Sequence, residues 1–320
     1  MSSVNMVRQT IRRTRGLEAK PFWKTLTGQK QLIIMSVPIL LYILLFSYVP
    51  TLGWVMAFQK FQPAKGFLNS AWVGLDNFKM LFADADFIRD FRNTICMSVI
   101  NITLSFSSAI VLAILLNELR NIHLKRFVQT ISYLPHFLSW VIVSALVVTT
   151  LSGDGIINDM LILLGIADEP ILWLGKGEYF WGILGITNVW KEVGWNTIIY
   201  LAAMSAIDPA LYEAAVMDGA NRYQKIRYIT LPGIKSTFVI LLIMNIGWIM
   251  QAGFEPQYLL RNGMNIDYSE TIELYVLRYG FQQSNFSLAT AAGMFQSAIN
   301  IFMLFVANFI ASKVGDERLI

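Results

Sequence analysis

Residues 208–232 read DPALYEAAVMDGANRYQKIRYITLP and separate two long apolar runs. An aspartate followed by Pro209 predicts a helix start, because the side chain accepts an N-cap hydrogen bond and proline presets the first helical φ. Gly219 ends that helix, and Asn221 with Gln224 has the spacing of a capping box that opens a second one. We call this the docking stretch, since two short helices joined at a glycine suit docking at a membrane surface.

Composition indicates that the chain folds in lipid. Of its 320 residues, 55% are apolar and 14% are charged, whereas soluble domains carry about 25% charged residues. The apolar residues gather into six runs, each long enough to cross about 30 Å of hydrocarbon as a helix: 32–58, 94–117, 127–151, 180–204, 234–254 and 288–312. The predicted fold class is an all-α membrane protein with six transmembrane helices.

Charges in the loops predict the orientation of these helices. With both termini in the cytoplasm, the inner segments hold 16 of the 25 Lys and Arg residues and the outer segments hold 8. Cationic residues favour the cytoplasmic side, so the docking stretch is predicted to face the cytoplasm of a bacterial cell. The basic N-terminus is not read as a signal peptide, because the apolar run after it is long and lacks a small-residue cleavage site.

The chain divides accordingly into five predicted parts. A cytoplasmic tail (1–31) precedes the first transmembrane helix (32–58) and an extracytoplasmic loop (59–93). A five-helix core (94–312) then contains the docking stretch, and a second cytoplasmic tail (313–320) ends the chain. No part has the composition of a separate soluble domain.

Residues suited to catalysis are scarce. The chain lacks a P-loop, whose glycines and lysine cradle phosphates, so we expect no ATP hydrolysis and no cofactor in this chain. His123 and His136 are its two histidines, too few for a typical zinc site and outside any HExxH motif. We therefore expect no metal site, and we predict that His136 is a packed, hydrogen-bonded residue. An enzyme is the weaker functional class.

Polar side chains within the fourth to sixth runs predict a substrate site instead. Asn188, Glu192 and Trp195 lie at i, i+4 and i+7 on one helix face, and Lys191 is adjacent to it. Such groups are costly in lipid unless they face a bundle interior or an aqueous path. Four further candidates come from the later runs, namely Asn245, Trp248, Gln251 and Asn300. Amides and a carboxylate beside aromatic planes suit a sugar. The alternative is that they join helices, at about 0.6–2 kcal/mol each.

The docking stretch resembles the EAA loop of ABC importer permeases. The matching residues are Glu213, Ala214, Ala215, Gly219, Ile229, Leu231 and Pro232. Residues 189–221, VWKEVGWNTIIYLAAMSAIDPALYEAAVMDGAN, are similar to the oligosaccharide subgroup of carbohydrate permeases, type I importers of the maltose-permease kind, and the likeness covers roughly residues 90–312. It implies a MetI-like fold and a coupling helix in a groove of a separate ATPase. The coupling residues it assigns are Glu213, Ala214, Ala215, Asp218, Gly219, Leu231 and Pro232.

The resemblance also implies partners and a substrate class. They are a second homologous permease, a cytoplasmic ATPase dimer that binds ATP and Mg, and an extracytoplasmic sugar-binding protein. Similar permeases import fragments of plant or algal polysaccharides, including uronate-rich ones, by alternating access. Lys191 would then meet a sugar carboxylate, Glu192 or an acidic residue of a partner chain. Two other functions stay open: an amino-acid or peptide permease on the same scaffold, and a membrane receptor that only docks a partner.

Overall fold

A computed structural model describes residues 30–314. The predicted tails 1–31 and 313–320 lie outside the described residues, apart from the ends that adjoin helices. The described chain divides into two compact units, residues 30–55 and residues 56–314.

The first unit is a single helical segment. Helix α1 (Lys30–Ile43) continues into a π-helical turn (Leu44–Tyr48) and a 3-10 helix (Val49–Phe58) whose last residues belong to the second unit. Pro50, which has no N–H to donate, lies at the start of the 3-10 helix, where the hydrogen-bonding pattern changes. Residues 30–58 together are long and apolar enough to cross a membrane.

The second unit contains a two-stranded antiparallel sheet and a set of helices. Strand β1 pairs with β2 so that Gln59 lies opposite Trp72 and Lys60 opposite Ala71. In chain order the elements are β1 Gln59–Lys60, α2 Gly66–Asn69, β2 Ala71–Trp72, α3 Asp76–Ala83, α4 Ala85–Glu118, α5 Ile122–Tyr133, α6 Trp140–Thr150, α7 Ile156–Leu163, α8 Gly177–Ser205, α9 Pro209–Met217, α10 Arg222–Lys225, α11 Leu231–Gly233, α12 Lys235–Ile246, α13 Phe254–Leu260, α14 Ile266–Ser269, α15 Ile272–Leu277 and α16 Phe286–Val314.

Up to six membrane spans can be counted among the described residues. Three helical segments qualify alone: Lys30–Phe58, α4 and Phe286–Lys313. Three more spans follow if each of three bent helix pairs counts as one, the pairs being α5 with α6, α8 with α9, and α10–α11 with α12. The predicted class is confirmed: the protein is mostly helical and has up to six candidate spans.

The predicted single helix over 127–151 is corrected to two arms. Helix α5 gives way to a 3-10 turn (Leu134–Phe137), and α6 then leaves at 102° to the first arm. Pro135 cannot donate a helical hydrogen bond, and Leu138 adopts extended backbone at ψ 138°. Ser139 then caps α6 through its side-chain oxygen, so the sequence itself contains both the stop and the restart.

Two other predicted boundaries also move. The run 234–254 is helical only to Ile246, and the chain then turns between Gly247 and Gly253, the latter with φ +95°. Glycine favours such a break because it loses more entropy than other residues in a helix and tolerates positive φ. The helix that contains the run 94–117 begins earlier than predicted, at Ala85. Asp84 caps it by accepting a hydrogen bond from the Asp86 N–H.

Helices α4 and α8 form the most extensive helix contact of the second unit. Gly185 on α8 makes this approach possible, because an added Cβ would lie 2.9 Å from the Ile100 side chain. Gly194, further along α8, lies against the backbone of α5, where a Cβ would overlap the Ser132 carbonyl oxygen. Small residues that let helix backbones approach are typical of packing in membranes.

Charged side chains join the start of α4 to the segment that carries α14 and α15, and we call this joined region the cap. Asp90 and Glu270 are fully buried there. Arg278 reaches them at 3.7 and 3.3 Å, and Arg89 at 3.2 and 3.7 Å. The Asn93 side-chain amide also donates to the Glu270 carbonyl oxygen at 2.9 Å. Buried charges of this kind persist only when paired and hydrogen-bonded, so the network fixes the cap to α4.

A second contact holds the same region. Burial raises the pKa of the Asp84 carboxyl, but hydroxyl hydrogen bonds from Tyr275 and Tyr279 and the charge of Arg278 outweigh it, so its pKa lies below the usual value. The pKa of Tyr275 is raised by its own burial and by the hydrogen bond to Asp84. The ionised carboxylate therefore stabilises the cap.

Candidate functional site

The docking stretch folds as two helices joined at a glycine, as predicted. Asp208 caps α9 by accepting from the Ala210 N–H at 2.9 Å. Gly219 has φ +77°, the left-handed conformation that commonly ends helices. Asn221 and Gln224 form the predicted capping box, with bonds of 2.7 and 2.9 Å. The short helix that follows continues through a π-helical turn (Ile226–Thr230) into α11.

Six of the seven residues assigned to ATPase coupling are exposed. Glu213, Ala214, Asp218, Gly219, Leu231 and Pro232 are exposed, and Ala215 is half-buried. Around them lie large apolar side chains that the rest of the chain leaves uncovered, including Val216 and Met217, the latter 87% exposed. Tyr212 and Thr230 join the two halves of the stretch through a 2.9 Å hydrogen bond between their hydroxyls. The stretch is a preformed surface with an apolar patch.

A cavity of about 390 Å³, the main cavity, opens among α4, α6, α8, the end of α12 and the turn after it. Five of the eight predicted substrate-binding residues line it, namely Asn188, Glu192, Asn245, Trp248 and Gln251. Its volume falls in the range of about 300–1,000 Å³ that is usual for small-ligand sites. The polar groups converge here from three helices that are far apart in sequence.

Lys191 does not line the main cavity but lies behind Glu192. Its side chain is 7% exposed, and its Nζ donates to Glu192 Oε1 and to the His136 carbonyl oxygen, each at 2.9 Å. The ammonium also lies 5.4 Å from the ring centroid of Trp140. His136 Nδ1 approaches the other oxygen of Glu192 at 2.7 Å, and it carries the proton because a carboxylate only accepts. Both carboxylate oxygens of Glu192 are thus held by the chain.

Trp195 and Asn300, the other two predicted residues, also lie outside the lining. Trp195 stacks on His136, with ring centroids 4.4 Å apart and planes 4° apart. Asn300 accepts through Oδ1 from the Met250 N–H at 3.0 Å, and Gln296 donates to the Met250 carbonyl oxygen at 2.7 Å. Both therefore support cavity walls: Trp195 holds the bend of α5 and α6, and Asn300 holds the turn after α12. His136 is packed and hydrogen-bonded, as predicted.

One wall of the main cavity contains none of the predicted site residues. Helix α4 contributes Ser98, Asn101 and Ser105, which lie at i, i+3 and i+7 and therefore share a face. This polar stripe within an apolar run is a pattern from which the wall could be predicted. Trp140 and Asn196 also line the cavity. The position of Trp140 depends on the 102° bend, which no local pattern gives.

Comparison with known proteins identifies the family. Residues 105–316 match the family described as the binding-protein-dependent transport system inner membrane component. The chain belongs to this family. The match includes the docking stretch and most of the main cavity, so both features belong to a transport permease. The resemblance to ABC importer permeases is confirmed, and the family is one of transport permeases.

Several relatives are similar to this permease over nearly their whole length. The polygalacturonan/rhamnogalacturonan transport system permease protein YteP of Bacillus subtilis (strain 168) is 45% identical over 91% of each chain. Protein LplB of the same organism is 40% identical over 92% of each chain. The crystal structure of a bacterial ABC transporter involved in import of the acidic polysaccharide alginate contains a chain with TM-score 0.85 and 38% identity, covering 91% of this permease and 98% of that chain.

A second structure adds a partner to the comparison. It is the bacterial alginate ABC transporter in complex with an alginate pentasaccharide-bound periplasmic protein, with TM-score 0.84 and 37% identity, covering 92% of this permease and 98% of that chain. These likenesses confirm the MetI-like permease fold predicted from the sequence.

Proposed function

We propose that this permease imports oligosaccharides, including uronate-containing fragments of plant or algal polysaccharides, through the main cavity. The relatives named for polygalacturonan and alginate support an acidic sugar as substrate. Amide groups on Asn188, Asn196 and Gln251 offer N–H donors to hydroxyls and carboxylates alike. The Glu192–Lys191 pair keeps the wall without net charge, so a uronate meets no uncompensated carboxylate.

One observation carries the proposal: a cavity that combines amides, an oriented carboxylate and indole faces. Trp140 and Trp248 present apolar planes, and Glu192 presents acceptor lone pairs fixed by two chain donors. A pyranose ring needs this mixture, because it has an apolar face and a belt of hydroxyls. An ion or a purely apolar substrate needs only part of it.

The proposed cycle uses alternating access. ATP and Mg bind a separate cytoplasmic ATPase dimer, whose closure moves the docking stretch and opens the cavity outward. A sugar-binding protein delivers the substrate from the extracytoplasmic side, and a second permease completes the pathway. Hydrolysis returns the pair to the inward state. In this arrangement both termini and the docking stretch face the cytoplasm, consistent with the cationic bias of the loops.

Transport by the complete complex tests the function. The permease is reconstituted in vesicles with its second permease, ATPase and binding protein, and ATP-dependent uptake is measured for oligogalacturonate, a neutral oligosaccharide and a tripeptide. We expect uptake of the sugars, with oligogalacturonate preferred. Uptake of the tripeptide alone would make this a peptide permease. ATPase binding without uptake of any of the three would make it a docking subunit.

A further inference from the structure

A second, smaller cavity of about 70 Å³ adjoins the main cavity between α4, α8 and α12. The two cavities share three lining residues, one from each helix: Ser105, Asn196 and Asn245. They form one route interrupted at a ring of three polar side chains, which we call the neck.

The small cavity lies on the side of the neck that is nearer the docking stretch. On α8 its lining continues from Asn196 to Tyr200, toward the end of the helix that leads into α9. On α12 it includes Leu241, which lies between Asn245 and the start of that helix. Ala109 extends it along α4 in the matching direction, toward Glu118. On all three helices, therefore, the lining of the small cavity continues to the same side of the neck.

A direct hydrogen bond closes the neck. Asn196 Nδ2 donates to Ser105 Oγ at 3.0 Å and so joins α8 to α4. The Asn245 side chain donates to the Leu241 carbonyl oxygen of its own helix. A sugar ring therefore cannot pass the neck in this conformation without separating Asn196 from Ser105.

Tyr200 supplies an independent sign of a ligand beyond the neck. It is 2% exposed, and its hydroxyl has no hydrogen-bond partner in the part of the chain that the structure describes. A buried hydroxyl without a partner destabilises the fold, whereas phenylalanine would fill the same space without that cost. The presence of the Tyr200 hydroxyl is explained if a polar group of the substrate enters the small cavity during the transport cycle and bonds to it.

We propose that the small cavity is a hydroxyl-binding exit subsite, in which Tyr200 receives a sugar hydroxyl or hydroxymethyl group once the Asn196–Ser105 bond has opened. The inference rests on the proposed sugar transport and adds the direction in which the sugar leaves. The ligand chemistry is that of any polyhydroxylated ring, because a phenol both donates to and accepts from a hydroxyl. The small cavity does not distinguish charged from neutral sugars, since no residue that lines it is ionised at neutral pH.

The experiment compares Tyr200→Phe with Tyr179→Phe in the complete transporter. Tyr179 lies at the outer end of α8, outside both cavities, and serves as the matched control. We expect Tyr200→Phe to lower the maximal rate of sugar uptake about five-fold, the value of one hydrogen bond, at an unchanged KM and at a melting temperature no lower than that of the wild type. Tyr179→Phe should transport as the wild type does.

A second measurement does not depend on the rate. Ala109→Cys, in a Cys96→Ser background, places a thiol in the wall of the small cavity, and labelling by a small thiol reagent during ATP turnover should slow when sugar is present. Wild-type rates in Tyr200→Phe, or labelling indifferent to sugar, would show that the small cavity holds only water and overturn the proposal. Failure of the wild-type transporter to carry sugar would instead refute the proposed function.

Discussion

Replacing Lys191 with methionine separates the two roles open to this residue. In the structure its ammonium is 2.9 Å from Glu192 Oε1, and the lysine side chain is 7% exposed against 24% for the glutamate. Loss of one partner of a fully buried ion pair costs about 3–5 kcal/mol. Glu192 retains the His136 hydrogen bond at 2.7 Å and some contact with solvent, so we expect about 1–3 kcal/mol for Lys191→Met.

Thermal unfolding of the purified transporter in detergent measures this effect. At about 2 °C per kcal/mol for a chain of this size, the melting temperature should fall by about 2–6 °C. The double variant Lys191→Met/Glu192→Gln leaves no unpaired charge, so it should recover most of the loss. Lys176→Met, which removes an exposed lysine of the loop before α8, should stay within about 1 °C of the wild type.

Two results would refute this reasoning. One is a single variant as stable as the wild type, which would mean that the ion pair contributes nothing to the wall. The other is a selective loss of oligogalacturonate uptake, with neutral sugar unaffected, in both the single and the double variant. That pattern would mean that Lys191 contacts a sugar carboxylate directly.

Three further predictions concern the docking stretch, the tryptophans and the cap. Gly219→Val forces a β-branched residue into φ +77° and should uncouple ATP hydrolysis from uptake while the protein still inserts, measured as basal ATPase without transport. Trp248→Ala should abolish uptake at an unchanged melting temperature, whereas Trp195→Ala should lower that temperature by a few degrees because it unstacks His136. The folded-state pKa of Asp84 is depressed, so its contribution is complete above the unfolded value near 3.9 and is lost as pH falls below it. The melting temperature should therefore fall less between pH 6 and pH 3 in Asp84→Asn than in the wild type. Thermal unfolding at a series of pH values measures this difference.

Local patterns predicted the docking stretch well because every signal in it acts within four residues. A cap, a glycine turn and a capping box need only side chains and backbone groups a few residues apart, and each appears at the predicted residues. The same holds for the face shared by Asn188 and Glu192, which follows from helical period alone.

Tertiary placement accounts for what the sequence could not give. Trp195 has the right period for the cavity face, but the bend between α5 and α6 stacks His136 on its ring, and Trp195 stays 44% exposed outside the cavity lining. Asn300, a predicted substrate-binding residue, accepts a hydrogen bond from the backbone N–H of Met250 in the turn after α12. In lipid such backbone groups must find internal partners, so a break in one helix recruits a polar residue from another.

The connection between the docking stretch and the neck follows from the chain path. Helix α8 runs unbroken from Asn188 past Asn196 to Ser205, and the docking stretch begins three residues later; α12 starts just after that stretch and reaches Asn245. The rise of an α-helix puts each of these neck residues about 14–15 Å from the end of its helix that adjoins the docking stretch. Ser105, the third neck residue, lies on α4, which neither begins nor ends in the docking stretch. A displacement of the stretch that moved α8 and α12 against α4 would break the Asn196–Ser105 bond, together with the 3.2 Å hydrogen bond from Thr197 Oγ1 to the Ala109 carbonyl oxygen.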